Sequence, residues 1–252
     1  LIILALNSFR VAISYAEEAI HNMIGFMIAL IPLLLALLAS LGNLASVAFF
    51  HPLIVFLVNT SGLLILKFVL PLLFLSALLH VVSTLTDHYK VTKLANLLRN
   101  VAIGALGAFF AVFLGVISVQ GASSAIADGL AIRTAKFITG NVIPVVGRMF
   151  TDATDTVLSA SVLLKNTVGL AGVVILMMLV FFPAVKVLAL ALIYHIAGAV
   201  LQPLGGGPIV DSLDVIGKCV LFIFAALAIL SIMFFLAITI MIGAGNISFM
   251  LR

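Results

Sequence analysis

Cys219 to Ile242 reads CVLFIFAALAILSIMFFLAITIMI, 24 residues without a charged side chain. A helix rises about 1.5 Å per residue, so about 20 apolar residues cross the hydrocarbon core of a bilayer. Each central Leu, Ile, Phe or Val favours insertion by about 0.3 to 0.6 kcal/mol, whereas a charge costs about 2.5 to 3.5. This segment therefore inserts unaided, and the rest of the chain can be read outward from it.

Six further runs are similarly apolar, two of them with a single lysine, Lys67 and Lys186. They are Met23 to Leu41, Leu44 to Val58, Leu63 to Leu85, Val101 to Val119, Val168 to Phe182 and Ala184 to Leu201. Gly42-Asn43 separates the first two and Asn59-Thr60-Ser61-Gly62 the next two. Pro183 separates 168–182 from 184–201, because proline removes a helical donor and crowds the preceding turn. Composition agrees: of 252 residues, 65% are hydrophobic and 8% charged, and mean hydropathy is +1.45. Soluble domains carry about 25% charged residues. The fold class expected is all-α, a polytopic integral membrane bundle of about seven spans forming a single domain over residues 1–252.

The net charge is +4. The twelve Lys and Arg are scattered through short connections, which argues for orientation in a bilayer and against a nucleic-acid partner. Thr86 to Asn100 is the most basic connection, with Lys90, Lys93 and Arg99 against Asp87. Val91, Leu94, Leu97 and Leu98 share a helical face there, the pattern of a surface-lying helix and a cytoplasmic marker. Counting seven spans from it puts the N-terminal end with Glu17 and Glu18 outside. The 121–167 stretch and the glycine-rich loop 202–208 then also lie outside, and Arg252 inside. Leu1 is not methionine, so a signal peptide or soluble segment ahead of it is expected to be missing.

Residues 121–167 read as an amphipathic helical hairpin. One helix covers Ser123 to Ile138. A second opens near Pro144, after Asn141, and runs to Lys165. Val145, Met149, Phe150, Ala153, Val157 and Leu164 form its apolar face. Arg148, Asp152 and Asp155 lie opposite, at spacings that allow pairing. Thr134, Lys136, Asn141, Arg148, Asp152 and Asp155 are too polar to face lipid. They are candidates for a lumen, a partner or a water-facing lid at the interface.

Gly104, Ala108, Ala111 and Gly115 form a candidate helix-packing face, either within the chain or between subunits. Lys67 and Lys186 are ionisable residues in apolar surroundings, hence functional candidates, although a place near a helix end would let each reach the interface. The five histidines form no HExxH or comparable ligand pair, and there is no GxSxG elbow. Gly205-Gly206-Gly207 lacks the following lysine and hydroxyl of a phosphate loop. The single cysteine, Cys219, excludes an internal disulfide. No catalytic site, metal or cofactor is expected.

Thr134 to Val157, TAKFITGNVIPVVGRMFTDATDTV, and Leu163 to Gly169, LLKNTVG, together resemble the stage III sporulation protein AE family of endospore-forming bacteria. Phe182-Pro183-Ala184-Val185-Lys186 and Gln202-Pro203 fit the same pattern. The resemblance implies a multi-pass protein of the mother-cell membrane around the forespore. It further implies a non-enzymatic part in a secretion-like channel complex that includes other stage III sporulation proteins. With the polar hairpin it leads to the expectation of a homo-oligomeric pore or platform. The alternatives are a secondary transporter with a midplane site at Pro71 and Pro183, or a passive scaffold.

Overall fold

The structure is a computed structural model. It describes the backbone of residues 2–85, 91–142, 146–205 and 207–250, and the side chains of 6–44, 46–84, 91–123, 159–203, 205 and 207–243. Every regular element among them is helical. In chain order they are α1 (Ile2–Ser40), α2 (Leu44–Leu64), a π-helical turn (Ile65–Val69), α3 (Leu70–Leu85), α4 (Thr92–Val142), α5 (Val146–Leu201), a 3-10 turn (Gln202–Leu204) and α6 (Pro208–Met250). A backbone in lipid has no water to bond, so uninterrupted helix is the form that satisfies these apolar runs.

Among the described residues, five helical stretches are long and apolar enough to cross a membrane: Leu6–Ser40, Ser46–Thr84, Thr92–Ser123, Ser159–Leu201 and Pro208–Gly243. Seven separate spans are not found. Two of the expected breaks are absent, and each has a physical reason. Asn59-Thr60-Ser61-Gly62 does not turn; it lies within α2, which passes through the π turn into α3. Ser61 and Gly62 are buried, Asn59 and Ser61 have interaction partners, and Gly62 packs against the Ile24 side chain. A polar cluster that helix neighbours satisfy need not leave the helix. Pro183 lies inside α5 without ending it, as Pro32 and Pro52 lie inside α1 and α2. Pro71 is different, since the five-residue π turn ends two positions before it.

The turn expected at Gly42-Asn43 is present. The Gly42 N–H donates to the Ala39 carbonyl at 2.9 Å and the Asn43 N–H to Leu38 at 3.1 Å, a Schellman closure of α1. Gly42 has φ +80°, where an L side chain is strained. Gly42→Ala should cost about 1 kcal/mol, measured as a lowered unfolding midpoint in detergent.

The basic 86–100 segment is not a separate surface helix: residues 92–100 are the first turns of α4. Leu94 and Leu97 point outward while Ala95 is buried, with its carbonyl accepting from Ser76 Oγ at 2.7 Å. The 121–167 stretch is likewise not a free-standing hairpin. Its first arm is the end of α4, its second the beginning of α5, and both continue into spans.

The chain forms two compact units, and all five long helices contribute to each. Unit 1 comprises Leu1–Ile24, Asn59–Ala111 and Met177–Ile232. It buries Ala12 and Ala16 of α1, Leu73 and Ala77 of α3, Leu106 of α4, Ala191 of α5 and Ile223 of α6. Unit 2 comprises Gly25–Val58, Val112–Leu176 and Met233–Arg252, and buries Leu34, Leu38, Ile54, Phe113, Leu176, Phe234 and Ile238. Among the described side chains Lys165 is the one charged residue of unit 2; the other ten belong to unit 1.

Candidate functional site

A polar surface of unit 1 lies on α1. Asn7, Arg10, Ser14, Glu17 and His21 are all exposed, whereas Phe9, Ala12, Ala16 and Ala19 are buried on the opposite side. The polar positions follow a 3,4,3,4 spacing, which holds them on one helix face for four turns. Arg10, Ile13, Ser14 and Glu17 form one wall of a cleft; Leu70, Pro71 and Phe74 of α3 form the other, around about 430 Å³. Phe9 stacks on Phe74 at 5.9 Å between ring centroids, tying α1 to α3 beside the cleft. On another side of α1, Lys186 Nζ sits 4.9 Å from the Tyr15 ring centre.

The local backbone explains why the cleft lies here. Pro71 has no N–H, so a carbonyl in the preceding turn loses its helical donor. The π turn takes up the change, with the Leu70 N–H donating back to the Ile65 carbonyl. Such turns bulge the helix and often mark functional positions. Among the described residues neither Arg10 nor Glu17 forms an ion pair. Two unpaired charges of opposite sign therefore face one cavity.

A second polar site joins α5 and α6 in unit 1. Asp214 accepts from Lys218 Nζ at 2.6 Å and lies 3.5 Å from His195 Nδ1, beside a cavity of about 320 Å³ that Gln202 and Asp211 also line. Gly217 lets α6 approach, since a Cβ there would stand 3.2 Å from Tyr194 Cβ and His195 Nε2. These side chains are partly exposed, and a pair of that kind contributes about 0 to 1 kcal/mol. Asp214→Asn should therefore lower stability by less than about 1 kcal/mol, read from the thermal midpoint.

In unit 2 the buried face of α5 runs through Lys165, Gly169, Gly172 and Leu176, at i, i+4, i+7 and i+11. Lys165, only 1% exposed, donates to the Ile242 carbonyl at 2.8 Å. A Cβ at Gly169 would meet the Ile242 side chain, one at Gly172 would stand 2.7 Å from Leu30 Cδ2, and one at Gly121 2.5 Å from Ile240 Cγ2.

Gly121, Gly169 and Gly172 make close contacts in unit 2. Gly104, Ala108, Ala111 and Gly115 are exposed, and nothing lies within 4 Å of a Cβ built at Gly104 or Gly115. Among the described residues, nothing packs on this face at Gly104 or Gly115. Thr134, Lys136 and Asn141 belong to α4, and Arg148, Asp152 and Asp155 to α5; their side chains lie outside the described residues. Lys67 and Lys186 are exposed, but each is interior to a continuous helical run, so neither is near a helix end. Nothing in the sequence reading marked the α1 face. Its signal was the 3,4 recurrence of polar residues from Asn7 to His21, hidden by the apolar residues between them.

Among the described residues no group of three or more His, Cys, Asp or Glu is placed to hold a metal ion. No solved structure matches the chain. Over 252 residues it is 68% identical to stage III sporulation protein AE of Bacillus subtilis (strain 168), which covers the whole chain and 63% of that relative's length. The family model for stage III sporulation protein AE matches residues 1–245. The chain belongs to the stage III sporulation protein AE family.

Proposed function

We propose that this protein is a non-enzymatic membrane component of a secretion-like channel complex joining mother cell and forespore during sporulation. It works as a homo-oligomeric pore or platform in the mother-cell membrane around the forespore, beside other stage III sporulation proteins. The observation that carries this reading is the 68% identity to stage III sporulation protein AE along the entire chain. Assembly within the bilayer is supported by the outer helices. Half of the most apolar window of α6 is buried, against 22% for α4 and 17% for α5. α4 carries the Gly104, Ala108, Ala111, Gly115 face on its outside, where another helix backbone can approach closely.

On this reading five crossings place the N-terminal end, the 86–91 connection and the 202–207 loop on one side. The 143–145 connection and the C-terminal end are on the other. With basic 86–100 in the cytoplasm, the N-terminal end is also cytoplasmic, the reverse of the seven-span expectation. Thr134, Lys136, Asn141, Arg148, Asp152 and Asp155 then approach the space between the two membranes, as a lumen mouth or a partner surface. The particle mass after purification in detergent tests assembly. A closed ring of several copies is expected, and a monodisperse monomer contradicts it. A strain carrying Arg148→Glu should form fewer heat-resistant spores; unchanged sporulation would remove that face from the function.

A secondary transporter is the second reading, favoured by the charged cleft beside Pro71. Pro183 does not line that cleft. Solute flux by reconstituted single chains would decide for it.

A further inference from the structure

We infer that the cleft between α1 and α3 binds the zwitterionic headgroup of an aminophospholipid, with Arg10 and Ser14 taking the phosphate and Glu17 the ammonium. The inference goes beyond the channel reading and does not depend on it.

Charge gives the first reason. Arg10 and Glu17 line one cavity and have no ion-pair partner among the described residues. Unpaired charges on a membrane helix are costly unless water or a counter-charge meets them. Glu17 would repel a simple anion from the cavity, and Arg10 a simple cation. A ligand carrying both signs satisfies both. Arg10 and Glu17 are separated by about 10.5 Å along the helix, with Ser14 between them on the same wall of the cavity. The guanidinium suits a phosphate because its N–H groups bond two oxygens at once, and a serine hydroxyl can add a third donor.

Shape gives the second. The wall opposite the charges is apolar, formed by Leu70, Pro71 and Phe74. Phe68, Pro71 and Leu75 are exposed on the same helical run, an apolar track that meets the cleft at Pro71. A headgroup with an attached acyl chain fits charges on one wall and such a track on the other; a free polar solute would leave the track unused.

Depth gives the third. Beyond Glu18, α1 has no charged residue up to its end at Ser40. The cleft thus adjoins a stretch long enough to cross hydrocarbon, at the level where headgroups lie.

The test uses the full chain, purified and placed in nanodiscs of equal parts phosphatidylethanolamine and phosphatidylglycerol, with retained lipid read by native mass spectrometry. Wild type should retain phosphatidylethanolamine in preference to phosphatidylglycerol by about tenfold, the value of one charge-assisted bond. Arg10→Gln should lower retention of both lipids, and Glu17→Gln should abolish the preference. Arg99→Gln, outside the cleft, should do neither, and size-exclusion profiles confirm folding of each variant. Equal retention of the two lipids by wild type overturns the proposal. So does a pattern that Arg10→Gln and Glu17→Gln leave unchanged. Soluble glycerophosphoethanolamine should compete weakly; if it displaces the lipid stoichiometrically, the site is a solute site and the lipid assignment fails. Particle mass is measured on the same samples, so loss of the ring and loss of the lipid are read separately.

Discussion

Lys165→Glu should destabilise the protein by about 3 to 5 kcal/mol, whereas Lys165→Met should cost no more than about 1 to 2 kcal/mol. The wild-type ammonium is buried in unit 2 and donates to the carbonyl of Ile242 at 2.8 Å. A carboxylate in its place has no proton to donate and sets negative charge against that carbonyl oxygen. It stays buried, uncompensated and in a low-dielectric surrounding, and such charges are the most expensive defects in a folded chain. Methionine removes the charge with its desolvation cost and fills similar volume, and the helical carbonyl keeps its backbone donor. With total stabilities of about 5 to 15 kcal/mol, the glutamate variant should be largely lost from the membrane fraction. Thermal unfolding in detergent separates the two, and equal midpoints would show that Lys165 reaches water.

Gly169→Leu should cost about 3 kcal/mol, the upper end for overpacking, and Gly104→Leu almost nothing in the isolated chain. The two positions look alike in sequence, each a glycine in an apolar helix. At Gly169 even a Cβ meets Ile242, and Leu34 closes the space behind. The Ile242 side chain can give way to a Cβ alone, but the three further carbons of a leucine must also displace their neighbours. Around Gly104 nothing lies within 4 Å. If α4 meets a second copy through its small-residue face, Gly104→Leu should shift the particle mass downward while leaving the unfolding midpoint unchanged. A lowered midpoint with unchanged mass would assign that face to the chain's own interior.

The membrane class and the helical content were legible because they rest on composition and run length, as in Cys219 to Ile242. The turn at Gly42 was legible because a helix end needs a residue that tolerates positive φ. The number of spans was not. Asn59-Thr60-Ser61-Gly62 and Pro183 carry the local signals of a break, but in a bundle neighbouring groups satisfy the polar side chains, and one missing proline donor does not end a long helix. The family was legible in 134–169, whose polar residues recur in a specific order. The packing glycines were not, since the sequence gives the spacing of Gly104 and Gly115 but not which face of α4 turns inward. The sequence pattern puts Lys165 at the end of an amphipathic hairpin; burial on α5 depends on the path of α6, which no local pattern encodes. The α1 cleft was missed because polar residues at 3,4 spacing lower the local hydropathy only slightly.

Five crossings and seven crossings differ most plainly at two connections. In a Cys219→Ala background expressed in non-sporulating cells, where the outer face of the membrane meets the medium, single cysteines at Val145 and at Gly207 can be labelled in intact cells with a membrane-impermeant maleimide, then again after permeabilisation. Five crossings predict that Val145→Cys reacts from outside and Gly207→Cys only after permeabilisation. Reaction of both from the same side would require a further break between them, and would contradict a single α5 crossing.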